Sequence, residues 1–168
     1  GALEYADLAD PAYNYQHQSW YLDAVAAGKP LWVEPYFDDG GGRVLMTTYA
    51  VPVFRRDAGG EPFLYALVTA DVPLEALQNY LRRLRLGDSG FGILLSRSGT
   101  VLSGRDSANI MRHYSDALTR ESGHESWREM FEAALQGQVV TRQLTCTDVP
   151  GRCVIRLGAL ESTGWPVG

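Results

Sequence analysis

The residues of this chain whose types could recognise a ligand are a block of aromatic rings and carboxylates. Tyr13-Asn14-Tyr15-Gln16-His17-Gln18-Ser19-Trp20-Tyr21 is followed by Trp32-Val33-Glu34-Pro35-Tyr36-Phe37-Asp38, and the block closes with Thr47-Thr48-Tyr49 and Asp71. Aromatic faces attract cations, at about 0.5 to 2 kcal/mol for an ammonium group. Carboxylates add charge-assisted hydrogen bonds that fix orientation. No nucleophile, metal or phosphate motif accompanies them. His17, His113 and His124 lack partners at metal-ligand spacing, no glycine loop matches a phosphate cradle, and no serine stands in a nucleophile-elbow context. The block therefore reads as a ligand pocket and not as a catalytic site, with no metal and no cofactor. Glu34 and Asp38 are the one pair that could share acid and base work. Their spacing carries that meaning on a helix, and Pro35 argues against a helix there.

The elements that must position these residues can be read from patterning. Trp20, Tyr21, Ala24 and Val25 recur at helical spacing, and Gly28-Lys29-Pro30 supplies a glycine-then-proline stop, so residues 18–27 are expected to form a short helix. Leu31 to Glu34 is a brief extended run. The loop Asp38-Asp39-Gly40-Gly41-Gly42 launches a long strand from Arg43 to Phe54, and Asp57-Ala58-Gly59-Gly60 turns the chain back. Phe63 to Asp71 is apolar on both faces, as a central strand covered on each side would be, and alternation puts Asp71 on the face of Tyr65, Leu67 and Thr69. Pro73 then opens a helix whose Leu74, Leu77, Leu81 and Leu84 form one stripe.

From Gly90 the pattern restarts with a strand-turn-strand unit over Phe91 to Ser103. Two helices follow, the second with Ser122-Gly123-His124-Glu125 as a capping box and Gly137 as its stop. Strands at Gln138 to Cys146 and Arg152 to Ala159 complete the series. The division falls near Leu86, giving one subdomain over 1–86 and another over 87–168. With 168 residues, 45% of them hydrophobic, the chain is long enough to bury a core in each.

Composition excludes some partners. Fifteen basic against twenty acidic residues give a net charge of -5, with no basic stripe to hold a phosphate backbone, so nucleic acid is not a partner. Arg82-Arg83 with Arg85 is the cationic end of a helix. No window approaches the roughly 20 apolar residues that span a bilayer, so any membrane anchor is expected outside this fragment. The two cysteines, Cys146 and Cys153, bracket a Pro150-Gly151 turn signal. Strands joined there bring the thiols together, and a disulfide between them would imply an oxidising compartment.

These motifs resemble the double Cache sensor domains found outside the membrane in bacterial signalling receptors. Trp20-Tyr21, Gly28 to Asp38, Thr48-Tyr49 with Pro52-Val53-Phe54, and Val68 to Leu74 follow the membrane-distal module. Gly87 to Leu95 with Ser98 to Ser103 resembles the entry to the membrane-proximal module, and Ser162-Thr163-Gly164-Trp165-Pro166 the segment before the return to the membrane. The resemblance implies an α+β fold of two PAS-like modules, each an antiparallel sheet flanked by helices, with 1–86 distal and ligand-binding and 87–168 proximal. It implies a periplasmic sensor that binds a small polar ligand, forms a weak homodimer in the full receptor, and relays to a phosphatase, kinase, cyclase or chemoreceptor. The long helix that opens such domains would be largely missing.

The ligand set implied by the resemblance is Gln18, Trp20, Tyr21, Trp32, Tyr36, Asp38, Tyr49 and Asp71. The amino-acid-binding branch carries an arginine where Gln18 stands, so the bidentate clamp for a carboxylate is absent. A cationic amine or a neutral polar molecule is therefore expected ahead of a free amino acid. Trp20, Trp32 and Tyr49 could instead be core aromatics, and Asp71 could cap the helix that follows it. Two alternatives stand beside the sensor: a structural or dimerisation module without a ligand, and a periplasmic hydrolase using Glu34 and Asp38.

Overall fold

The structure is a computed structural model that describes residues 13–84, 86–87, 89–117, 124–145 and 152–168. The chain divides into two compact units, Gly1–Leu74 and Glu75–Gly168. Both are α+β, with antiparallel sheets and few helices.

In the first unit a 3-10 turn at Tyr15–His17 leads into α1 (Ser19–Ala27). Gly28 closes α1 in the left-handed conformation (φ 60°), its N–H donating to the Ala24 carbonyl, as the glycine-proline stop predicts. Four strands follow: β1 (Leu31–Trp32), β2 (Tyr36–Asp38), β3 (Val44–Arg56) and β4 (Pro62–Pro73). β3 is the organising strand. Along one edge it pairs with β1 and β2, and along the other with β4 in a long hairpin. A bulge between Val53 and Phe54 breaks the hairpin register near its tip.

Side chains alternate across a sheet, so the register assigns every residue to a face. Ala50 faces the same way as Leu31 and Thr69, opposite it on β1 and β4. That face is covered by α1, where Ala24, Val33 and Ala50 are buried with Trp20, Leu31 and Leu67 packed around them. The other face carries Trp32, Tyr49, Val51 and Val68, and it leaves Phe37 and Val68 more than half exposed.

The second unit opens within α2 (Leu74–Arg83), at Glu75. The periodicity predicts this helix, but the division at Leu74 and Glu75 puts it with the second unit, where the sequence pattern has it close the first. The physical reason lies in its attachments: Gln78 Nε2 donates to the Leu102 carbonyl, and Leu81 packs on Gly92, where an added Cβ would stand 3.2 Å from its Cδ2. β5 (Leu94–Leu95), β6 (Val101–Ser103), α3 (Tyr114–Ala117), α4 (His124–Leu135), β7 (Val140–Thr145), β8 (Arg152–Ala159) and β9 (Pro166–Val167) follow. The sheet order is β6-β5-β9-β8-β7. β9 is not foreshadowed by any strand pattern. It pairs with β5 and β8 and so joins the two halves of the sheet. The core under this sheet is Leu95, Val101, Tyr114, Met130, Phe131, Ala134 and Leu157.

Cys153 lies on β8 and is disulfide-bonded. Cys146, the chain's other cysteine, lies outside the described residues, as do Pro150-Gly151 and Ser122 of the expected capping box. The expectation about a long opening helix falls on and before residues 1–12, also outside them. Among the described residues no helix is long and apolar enough to cross a membrane.

Candidate functional site

The site residues are arranged by β3 and its neighbours. β2 aligns Tyr36 with Met46 and Asp38 with Val44, and β4 aligns Asp71 with Thr48. Those pairings put Tyr36, Asp38, Thr48 and Asp71 on the face that α1 covers. There the Tyr36 hydroxyl lies 2.8 Å from Thr48 Oγ1, and Thr48 Oγ1 donates to Asp71 Oδ1 at 2.7 Å. Thr48 is fully buried, Tyr36 is half-buried, and Asp71 is exposed. A buried hydroxyl thus joins a phenol to a carboxylate that solvent or a ligand can reach.

Asp38 shapes the loop beside them. Its Oδ2 accepts the Gly41 N–H at 3.1 Å and also the Gly42 N–H, which leaves Oδ1 the freer oxygen. This local capping is what an aspartate at the start of a glycine turn does well. Gly40 is required for a different reason: a Cβ there would fall on the Tyr13 ring. Glycine therefore lets the loop close on Tyr13, next to Tyr36. The charge field is concentrated at the phenol. Burial pushes the Tyr36 hydroxyl up to about 12, and Asp71, Asp38 and Tyr13 add to the rise.

That shift has a consequence for stability. The folded-state value lies above the ordinary one of about 10, so the neutral phenol is favoured by folding. Its contribution is complete below pH 10 and is lost as pH rises through about 12. Urea unfolding between pH 9 and 12 is expected to show this loss in the native chain and a flatter profile in Tyr36→Phe. Equal profiles would show that Tyr36 titrates as in the unfolded chain.

The helix supplies an aromatic wall on the same face. Tyr15 stacks on Trp20 with ring centroids 6.4 Å apart, and Tyr21 meets both edge-on at 5.4 and 6.0 Å. Trp20 also packs into the small core beneath α1. Gln18 occupies the N-cap of α1, half-buried, and its side chain makes no capping hydrogen bond. Its backbone carbonyl accepts from Tyr21 and Leu22 instead.

Trp32 and Tyr49 are placed differently. They sit opposite each other on β1 and β3, with ring centroids 5.3 Å apart. Their register is one residue out of step with Thr48, so they project from the other face of the sheet, away from Tyr36, Asp38 and Asp71. The resemblance grouped them with the ligand set, and alternation separates them from its other members. Thr48 stands in the opening block of the sequence but not in that ligand set. Asp71 is not bonded to the start of α2: its carboxylate receives the Thr48 hydroxyl.

Comparison with known proteins agrees with this architecture. Residues 1–79 match the family described as methyl-accepting chemotaxis protein-like, first PDC sensor domain. The methyl-accepting chemotaxis protein PctB of Pseudomonas aeruginosa is 29% identical over 156 residues, 93% of this chain and 22% of PctB. Among solved structures, the extracellular domain of the putative histidine kinase mmHK1S-Z3 superposes with a TM-score of 0.76 at 20% identity, covering 96% of this chain and 58% of that one. Residues 1–79 are thus similar to that first sensor module, and the chain shares the fold of that extracellular domain. The ligand-binding domain of PctB in complex with L-Gln superposes with a TM-score of 0.65 at 22% identity, over 97% of this chain and 59% of that one. The chain thus spans just over half the length of the solved domains it matches and about a fifth of the curated receptor. The histidine kinase domain that it resembles in fold is extracellular. A disulfide at Cys153 suits that compartment.

Proposed function

We propose that the first unit binds a small ligand through a primary ammonium group, and that the domain passes its occupancy across a membrane to a cytoplasmic effector. The observation that carries this reading is the cluster of Tyr36, Thr48 and Asp71 with Asp38 beside it, on the sheet face that also bears the aromatic wall of α1. Carboxylates beside aromatic faces suit an ammonium ion on both counts, charge-assisted hydrogen bonding and cation–π attraction. A ligand that prefers one of two conformations shifts their balance, and this is all a sensor needs to signal.

The finer choice is between amines and amino acids. PctB has been solved with L-Gln and with L-Arg, which argues for amino acids. Gln18 argues the other way, because a neutral amide cannot pair with a ligand carboxylate as a guanidinium does. We favour an amine that lacks a carboxylate, held by Tyr36, Asp38 and Asp71 with Trp20 and Tyr21 alongside.

A thermal-shift screen of polyamines, monoamines, amino acids and sugars on the folded domain tests the reading, since a ligand of the native state raises the melting temperature. Stabilisation by no amine and no amino acid would defeat it. Gln18→Arg is expected to raise affinity for amino acids about tenfold or more over the corresponding amines, read by calorimetric titration. An unchanged ratio would remove Gln18 from the specificity argument.

A further inference from the structure

The Tyr36, Thr48 and Asp71 chain has a fixed hydrogen-bond direction, and that direction decides what a ligand can offer. A hydroxyl has one proton to donate. Thr48 gives its proton to Asp71 Oδ1 at 2.7 Å, because a carboxylate can only accept. The contact of 2.8 Å between Tyr36 and Thr48 must then run the other way, with Tyr36 donating. Tyr36 has spent its only proton, so a group approaching its oxygen from the pocket must itself be a donor. Asp71 has a second oxygen, also an acceptor. Asp38 Oδ2 is occupied by the Gly41 and Gly42 amides, and Oδ1 is another acceptor. Every polar atom these three residues turn to a ligand therefore asks for a proton.

Thr48 is what makes this so. It is completely buried at the middle of β3, in register with Asp71, and two hydrogen bonds hold its hydroxyl. Valine has nearly the same shape and would leave the strand in place while releasing the Tyr36 proton. A free Tyr36 proton could be offered to an ether or a carboxylate, neither of which the native arrangement can satisfy without leaving an acceptor facing an acceptor.

We propose that Thr48 is the positioning residue that makes the site specific for hydrogen-bond donors, by holding the Tyr36 proton away from the ligand and the Asp71 carboxylate toward it. This inference rests on the reading of the first unit as an ammonium site. Thr48 does not touch the ligand in this scheme. It acts through its two neighbours, which is why a search for aromatic and charged residues passes over it.

The test compares Thr48→Val, which removes the hydroxyl, with Thr48→Ser, which keeps it. The probes are 1,4-diaminobutane and 1,2-dimethoxyethane, matched in length, the first a donor and the second an acceptor only. The native domain and Thr48→Ser are expected to bind the diamine and reject the diether. In Thr48→Val the preference should narrow at least tenfold, chiefly through gain of the diether. A variant that loses both affinities in proportion, keeping the native preference, would make Thr48 a structural residue and overturn the proposal. A second measurement needs no ligand: the Tyr36 hydroxyl proton should give a slowly exchanging NMR resonance in the native domain and in Thr48→Ser, absent from Thr48→Val. Its absence from the folded native domain would also overturn the proposal. Should the native domain bind neither probe while showing that resonance, the ammonium reading fails and the assigned proton direction stands.

Discussion

Replacing Asp71 by asparagine is expected to weaken binding of a primary amine by about a hundredfold, with little change in the stability of the domain. The two effects separate because of what Thr48 requires. Its buried hydroxyl needs an acceptor, and the side-chain oxygen of an asparagine can still take it at the position of Asp71 Oδ1. The amide nitrogen then faces the ligand. A donor is set against a donor, and the negative charge is gone. Losing one partner of a hydrogen-bonded charge pair costs about 2 to 5 kcal/mol, and an exposed carboxylate belongs at the low end of that range. Asp71→Ala is the contrasting case, since it leaves the Thr48 hydroxyl buried without its acceptor, at about 1 to 3 kcal/mol of stability. Calorimetric titration with 1,4-diaminobutane, together with urea unfolding of both variants, reads the two outcomes. An asparagine variant that binds as tightly as the native domain would place the ligand elsewhere.

Much of the first unit was legible in the sequence because its signals are local. The stop at Gly28 and Pro30, the helix before it and the hairpin of β3 and β4 all follow from turn residues and periodicity acting over a few positions. Tyr36, Asp38 and Asp71 could be found as polar residues in a context that offers them little packing. What could not be read was the register between strands. Trp32 and Thr48 are both near the pocket along the chain, yet one points away from it and the other holds it together. That distinction depends on which residue of β1 meets which residue of β3, and a shift of one position reverses it. β9 was hidden for a related reason. It is two residues long, Pro166 and Val167, and is a strand only because β5 and β8 flank it. A short segment of this kind has no periodicity of its own, and tertiary pairing creates it.

Leu95→Ala should unfold the second unit at markedly lower urea, at a cost of about 2 to 5 kcal/mol. Leu95 belongs to a two-residue strand whose hydrogen bonds alone would not hold it. It is fully buried in the cluster with Val101, Tyr114, Met130, Phe131, Ala134 and Leu157, and removing its side chain leaves a cavity that these neighbours cannot all move to fill. Leu157, from β8, and Met130, from α4, are equally buried, so the cluster ties sheet to helix. Val154 on the same strand as Leu157 provides the control. It has the opposite parity and is 69% exposed, so Val154→Ala should change stability by no more than about 0.5 kcal/mol. Fluorescence of Trp127 and Trp165, both buried in this unit, follows the transition. Equal midpoints for the two variants would mean that the second unit is not held by this core, and that the division of the chain between Leu74 and Glu75 does not mark a separately packed body.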